Sequence, residues 1–585
     1  MSAVIERPAV QAGGRRGRWV APAACLAAAV TWVGFAGPID PGGLGALGLI
    51  GAVHPAVLLA VAVLSAAFVL ELRAPRPRTW LLLGMCVLVV LGTYGLPSVS
   101  EPVARLPVAW LHAGWSDYIG TNGEVLTGFD ARFSWPTFFA FAAWLAHASG
   151  AGDVTALLAF APPVFTGLAA VGVHAVAVAL LGRGTAAWLS VWLFLGVNWV
   201  EQDYFSPQAL AFLMYLGALV IVLRWLCRAP LTQPRGAPVA GWGAAPSTRV
   251  AAAFGLVLLI GALAPTHQVT PFALAAILGV LAVSGRLHMR WLGVLAVLTP
   301  LTWLVLGATD FWSAHLQMLT GGVGDLSDAV RENVGQRVAG APGRMAVLGL
   351  RFGLAGLVLV LAAVGWWRLG TARGRPVALA VATMVPFGLV ALQSYGGEML
   401  LRAYLYALPL LCALGAVALD HWLGHRAGGR PAHGWRTAAI AAGLGVVFLA
   451  LVGARGGNDG YVAFRREDVA VVDEAYRIAL PGQRLVVLAA YAPLNWSRVG
   501  ELRQGSLERT CPPGPDEAGC VRDDGPDLVV VNPAQDNYGV IVLGLPAGWT
   551  RSVVADLESG GYREHLRLGE SVLLVRAPTE GHGGS

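Results

Sequence analysis

Apolar runs separated by short polar stretches recur along the chain, near residues 19–37, 46–71, 79–97, 154–182, 184–200, 208–227, 249–265, 270–284, 291–308, 346–367, 376–393, 399–419 and 437–454. At ~20 residues per bilayer crossing they predict about 13 transmembrane helices. A further apolar stretch, 134–149, is short and is followed by a loop without arginine, so a re-entrant or interfacial helix is expected there. Beyond about residue 455 the pattern changes. Buried strands are expected at 484–490 and 527–532, helices at 467–480 and 549–560, and a terminal hairpin from 562–569 and 571–577. The expected fold is mainly α: a polytopic transmembrane bundle carrying a small extracytoplasmic α/β domain. Its expected parts are amino-terminal anchoring spans (1–97), a transmembrane core (98–454) with long outer loops at 98–133 and 309–345, and the α/β domain (455–585).

Composition agrees: 56% of the 585 residues are hydrophobic and 13% charged, and the mean hydropathy is +0.63, values that belong to a multi-pass membrane protein. The net charge of +6 comes from arginine, since the chain has no lysine. We read this as the coding bias of a GC-rich genome. The arginines are scattered in short loops and form no basic stripe with interleaved aromatics, so nucleic acid is not an expected partner.

The arginines do set an orientation. Arg7, Arg15, Arg16 and Arg18 precede the first run; Arg73, Arg76 and Arg78 follow the second. Arg183, Arg224, Arg228, Arg286, Arg290, Arg368, Arg375 and Arg436 fall on the same side if the 13 runs all cross. Arginine-rich loops face the cytoplasm. The amino terminus is then expected inside the cell membrane, and the carboxyl-terminal domain outside.

On the outer side this parity collects the chemistry. The 98–133 loop carries Glu101, His112, Asp117, Glu124 and Asp130, with Arg105 and Arg132. Its segment LPVAWLHAGWSDYI has helical apolar spacing, with Asp117 at the polar edge. The turn WVEQDYFSPQ (199–208) brings Glu201, Asp203 and Gln208 between two runs, where acidic groups are costly and rarely serve packing alone. PTHQVTP (265–271) adds His267 and Gln268 at a proline-flanked junction. In SYGGEMLLR (394–402), Glu398 and Arg402 stand four apart on one helix face. A solvated loop charge is the competing reading for Glu101, Asp117, Glu124 and Asp130, helix-end polarity for Glu201 and Asp203, a structural histidine for His267, and an internal ion pair for Glu398 with Arg402. Cys511 and Cys520 lie in a Pro/Gly-rich loop, where an oxidising exterior permits a disulfide. No P-loop, dinucleotide fingerprint or close metal-ligand spacing is present.

The strings DARFSWP, QDYFSPQ, HQVTP and GGE followed by RAYLYALP, here 130–136, 202–208, 267–271 and 396–409, resemble the GT-C superfamily of integral-membrane glycosyltransferases, closest to actinobacterial members. The resemblance runs from about residue 98 to the end. It implies a sugar donor carried on polyprenyl phosphate, and a cell-envelope glycan, lipid or protein acceptor. Transfer takes place at the outer face, with inversion in one displacement. A loop carboxylate, here Asp117 or Asp130, is implied as general base. From their own chemistry, Glu201, Asp203, Gln208, His267, Gln268, Glu398 and Arg402 are candidate substrate-binding residues, with Arg402 on the lipid phosphate. Asp117 and Asp203 are the candidates for a divalent Mg or Mn ion. The superfamily's adjacent or once-spaced acidic pair is absent between 98 and 133. The alternative is a transporter or flippase for a lipid-linked saccharide, for which an inverted repeat is expected; none is visible.

Overall fold

The computed structural model describes residues 19–151, 153–233, 243–311, 342–370, 374–391, 398–424 and 434–577. The arginines before residue 19, most of the 309–345 loop, and residues 394–397 of the SYGGEMLLR string lie outside these segments.

Each of the thirteen apolar runs is helical. Among the described residues, seven helices are long and apolar enough to cross a membrane: Pro55–Leu72, Ala161–Leu181, Pro207–Leu226, Pro246–Leu263, Pro342–Arg368, Met399–Leu423 and Gly434–Val462. The remaining runs form apolar helices of 10–17 residues, such as Thr185–Val197 and Thr270–Val283. Met399–Leu423 is the most enclosed, with 83% of its apolar window buried by other helices. The second run is broken before Pro55, where the His54 ring caps the new helix by accepting from Ala56 N.

Two shorter helices lie beside this bundle. Pro107–Asn122 comes from the 98–133 loop, and Thr137–Ser149 is the short apolar stretch. They pack through Trp115, Phe133, Phe138, Phe139 and Ala142 into a core of their own, which also takes in Phe205 and Phe464. At 13 residues, Thr137–Ser149 rises about 20 Å, less than the ~30 Å hydrocarbon core.

The carboxyl-terminal domain is a five-stranded sheet in the order β2-β1-β3-β5-β4. Strands β1 (Arg484–Val487), β2 (Arg503–Ser506) and β3 (Leu528–Val531) are parallel, while β4 (Tyr562–Leu568) and β5 (Ser571–Arg576) close it antiparallel. Alternation divides the faces as a pleated sheet requires. Leu485, Val487, Leu528, Val530 and Leu573 pack with the Arg466–Ile478 helix; Val486, Val529 and Leu574 pack under Trp549–Ser559. Cys511 and Cys520 are joined in a disulfide, Cα atoms 5.5 Å apart.

This domain sits directly on the Pro107–Asn122 helix. Gly114 touches it so closely that a Cβ there would lie 1.9 Å from the Asn495 carbonyl oxygen, which only glycine tolerates. Trp110 meets Trp496 edge-on at 6.0 Å, and Leu106 N donates to Val462 O at 2.8 Å.

Candidate functional site

Where the helix ends on the loop face meet the 98–133 segment, a cavity of about 290 Å³ opens. Six pieces of chain build it: the Pro107–Asn122 helix (His112, Trp115), the turn after Asp130 (Arg132), the Thr137–Ser149 helix (Phe139), the 202–208 turn (Tyr204, Gln208), the 266–268 junction (His267, Gln268), and the start of Met399–Leu423 (Glu398, Arg402). Its walls are aromatic, with Trp115, Trp135, Phe139 and Tyr204. Its charges are Arg132, Arg402 and Glu398.

A one-way hydrogen-bond relay supports the His267 side. Two backbone donors, Val269 N and Thr270 N, point at His267 Nδ1 from 3.2 Å each. Backbone N–H groups can only donate, so Nδ1 is an acceptor, and the neutral ring carries its hydrogen on Nε2. Thr270 Oγ1, 3.0 Å from the same nitrogen, then donates to it. Tyr406 OH donates to Thr270 Oγ1 at 2.9 Å, and Gln208 Nε2 donates to Tyr406 OH at 2.9 Å. On the ring's other edge Nε2 lies 3.1 Å from Arg402 Nη1. Two N–H groups therefore face each other, one on a guanidinium whose Nη2 donates to Glu398 Oε2 at 3.0 Å. An oxyanion accepting from both would turn this juxtaposition into two hydrogen bonds, one of them charge-assisted.

His112 occupies the facing wall. Its Nδ1 is 2.9 Å from Phe205 O, and a carbonyl only accepts, so Nδ1 carries the hydrogen and Nε2 the lone pair. The ring stacks on Tyr204 at 5.9 Å and 8° and is flanked by Phe139 at 5.4 Å. Burial among these rings drives its pKa down to about 3; the Phe205 contact opposes the shift and Arg132 adds to it. Trp115, fully buried beside it, has the Arg132 guanidinium 5.2 Å above its ring.

Across Tyr204 lies a second, smaller cavity of about 130 Å³, lined by Tyr94, Glu101, Arg105, Glu201, Asp203 and Arg455 among others. A buried ion network walls it. Arg105 pairs with Glu101 and donates from Nη1 to Asp459 Oδ1 at 2.5 Å. Asp459, fully buried, also accepts from Leu49 N at 2.9 Å. Arg455 Nη2 donates to both Asp203 oxygens at 3.0 and 3.1 Å and stands 4.5 Å over the Tyr94 ring, while Thr166 Oγ1 donates to Asp203 Oδ2 at 2.7 Å. Glu201, with a left-handed backbone (φ 53°), accepts from Asn458 Nδ2 at 3.3 Å and lies 3.8 Å from Arg351. Burial, opposed in part by Arg455 and Arg351, pushes its pKa up to about 7.

The residues nominated from sequence thus separate into groups. Gln208, His267, Gln268, Glu398 and Arg402 converge on the larger cavity. Glu201 and Asp203 line the smaller one, engaged with Asn458, Arg351, Arg455 and Thr166. Asp117 is exposed, lines neither cavity, and has Asp153 and His147 as its charged surroundings. Asp130 is gripped by Arg132 through Nε at 3.0 Å, Nη2 at 2.8 Å and the backbone N at 2.8 Å. Burial raises its pKa, but these contacts outweigh that and leave it below the usual value.

A magnesium or manganese ion needs several oxygen ligands at close range. Among the described residues no group of three or more His, Cys, Asp or Glu is close enough to hold one. Asp117 and Asp203 stand in different surroundings, and Glu398 is matched to Arg402. That donor set does not fit a divalent cation.

Residues that the sequence reading passed over include Arg455, Asp459, Tyr94 and Tyr406. The string ARGGNDG (454–460), polar residues closing the last apolar run, was the available signal for the first two. Tyr94 and Tyr406 lie inside apolar runs and left none.

No family model and no curated protein matches the sequence. In shape the chain is similar to the oligosaccharyltransferase of Archaeoglobus fulgidus tethered to an acceptor peptide (14% identity, 87% of this chain and 72% of that one, TM-score 0.49). It is similar also to ArnT from Cupriavidus metallidurans bound to undecaprenyl phosphate (13% identity, 86% and 98%, TM-score 0.47). A third similar structure is the arabinofuranosyltransferase AftD from Mycobacteria (15% identity, 85% and 41%, TM-score 0.45).

Proposed function

We propose that the protein is a membrane glycosyltransferase that moves a sugar from a polyprenyl phosphate to a hydroxyl of a cell-envelope glycan, lipid or protein at the outer face of the membrane. The observation that carries the reading is the donor pair of His267 Nε2–H and Arg402 Nη1 at 3.1 Å in an aromatic-walled cavity. Such a pair holds a phosphate oxygen, and the flat ring faces beside it suit a sugar. In the reaction the acceptor oxygen bonds to the sugar's anomeric carbon from the side opposite the phosphate. The carbon–phosphate-oxygen bond breaks, and its electron pair leaves with the lipid phosphate. Charge grows on that leaving oxygen, where a guanidinium fixed by Glu398 and an N–H fixed by the Thr270 relay stabilise it without reorganising. Against the transporter alternative stands the placing of the cavity's polar groups Gln208, His267, Glu398 and Arg402 at helix starts rather than mid-helix. A two-sided pathway would distribute them toward the midplane.

The test is binding of undecaprenyl phosphate to the purified full chain in detergent, followed by native mass spectrometry. Arg402→Met and His267→Phe are expected to weaken binding at least about 10-fold each, the loss of one charged or well-oriented hydrogen bond. Undecaprenol, which lacks the phosphate, is expected to bind no better to wild type than to either variant. Equal binding of the phosphate and the alcohol by wild type would sink the reading.

A further inference from the structure

We infer that His112 takes the acceptor's hydroxyl proton during transfer, an assignment that rests on the glycosyltransferase reading above. Of the acid–base side chains in the 98–133 loop, His112 is the one on the wall of the larger cavity. Asp117 faces elsewhere, and both oxygens of Asp130 are taken up by Arg132. The Phe205 carbonyl fixes the His112 tautomer at 2.9 Å, and the Tyr204 and Phe139 rings fix its plane. Nε2 is therefore a preset acceptor on a ring that cannot turn without losing three contacts. This is the geometry a general base needs before its basicity matters.

The chemistry tolerates a weak base here. As the hydroxyl oxygen bonds to the anomeric carbon and the phosphate departs with its electron pair, that oxygen becomes an oxonium, a far stronger acid than an imidazolium. The O–H bond breaks toward Nε2, leaving the neutral glycoside, the lipid phosphate and a protonated ring, which then releases its proton to water. Arg132 beside His112, and Arg402 across the cavity, disfavour a lasting imidazolium. Asp130, Glu398, the neutral His267 and the Tyr204 phenol stacked on the His112 ring are the other titratable groups among the described residues around the cavity and its rim. With its pKa near 3, the resting ring keeps its lone pair throughout the physiological range.

Membranes from a strain of the source organism lacking this gene supply both accumulated lipid-linked sugar and unmodified acceptor. Purified full-length protein is added to them, and loss of the lipid-linked sugar is followed by mass spectrometry. His112→Ala is expected to lower turnover about 10²–10⁴-fold, the usual worth of a positioned base, while undecaprenyl phosphate binding stays within about twofold of wild type. Added imidazole is expected to restore turnover in proportion to its concentration, with a new acid limb near pH 7, where free imidazole protonates. A purely structural histidine would show no such limb. Turnover of His112→Ala within about threefold of wild type overturns the assignment, and so does a loss that imidazole fails to restore. If wild type neither binds undecaprenyl phosphate nor consumes the lipid-linked sugar, it is the glycosyltransferase reading that fails.

Discussion

Replacing Arg455 by methionine isolates the energetic role of Asp203. The carboxylate is 8% exposed and takes two hydrogen bonds from Arg455 at 3.0 and 3.1 Å. Deleting the guanidinium strands a buried charge, at a cost of about 3–5 kcal/mol. Loss of its seat over Tyr94 adds about 1 kcal/mol. Asp203→Asn in the same chain removes the stranded charge and keeps the Thr166 contact at 2.7 Å, so the double variant should regain at least about 2 kcal/mol, the range of such couplings. Thermal unfolding of the four proteins in detergent reads the cycle. At roughly 1–2 °C per kcal/mol for a long chain, extrapolated from smaller domains, Arg455→Met falls by about 4–12 °C and the double variant recovers about a third to a half. A double variant no more stable than Arg455→Met refutes the ion-pair account. Asp203→Asn with wild-type stability and no turnover does so too, because the carboxylate would then act on substrate.

Glu201 gives a pH signature. Its folded pKa of about 7 lies above the usual 4.5, so between these values the folded state holds a proton that the unfolded state has released. Stability is fully present below about pH 4.5 and declines as pH rises through that window, by at most about 3 kcal/mol; Glu201→Gln should flatten the decline in melting scans from pH 4.5 to 8. Gly114→Ala forces a methyl into the Asn495 carbonyl and should cost roughly 1–3 kcal/mol, read as faster protease release of the carboxyl-terminal domain; cleavage at the wild-type rate would contradict the contact. Reducing the Cys511–Cys520 bond, nine residues apart, should destabilise that domain by about 2.5 kcal/mol on loop entropy, measured by its unfolding midpoint with and without dithiothreitol.

The helices were legible because a bilayer-length apolar run has few other ways to fold, and β1, β3, β4 and β5 because their apolar residues matched the sheet; β2, with the sequence RQGS, carries no such signal and was not expected. Gln208, His267 and Arg402 were legible for a related reason: polar residues at the ends of apolar runs meet others at the same level. The 98–133 loop was harder to read. His112 and Asp117 are five residues apart, about 140° around a helix at 100° per residue, so only one of them can face a given wall. Which one does so depends on where Trp115 and Phe139 pack, and that is a tertiary fact. Asp130 was claimed by a neighbour two residues away. The Asp203–Arg455 and Arg105–Asp459 pairs join positions 252 and 354 residues apart, a range over which one sequence carries no pairing information.

The buried ion network also constrains how the protein is made. Its members come from the 98–133 loop, the turn after Thr185–Val197, and the end of the last long helix, with Leu49 near the start of the chain bonded to Asp459. Until residues 455–459 emerge from the ribosome, Arg105 and Asp203 have only part of their charge complement, and the loop face stays open to water. The charge complement of that face is thus completed only by the end of the Gly434–Val462 helix, and chains stopped short of it leave Asp203 without Arg455 and Arg105 without Asp459.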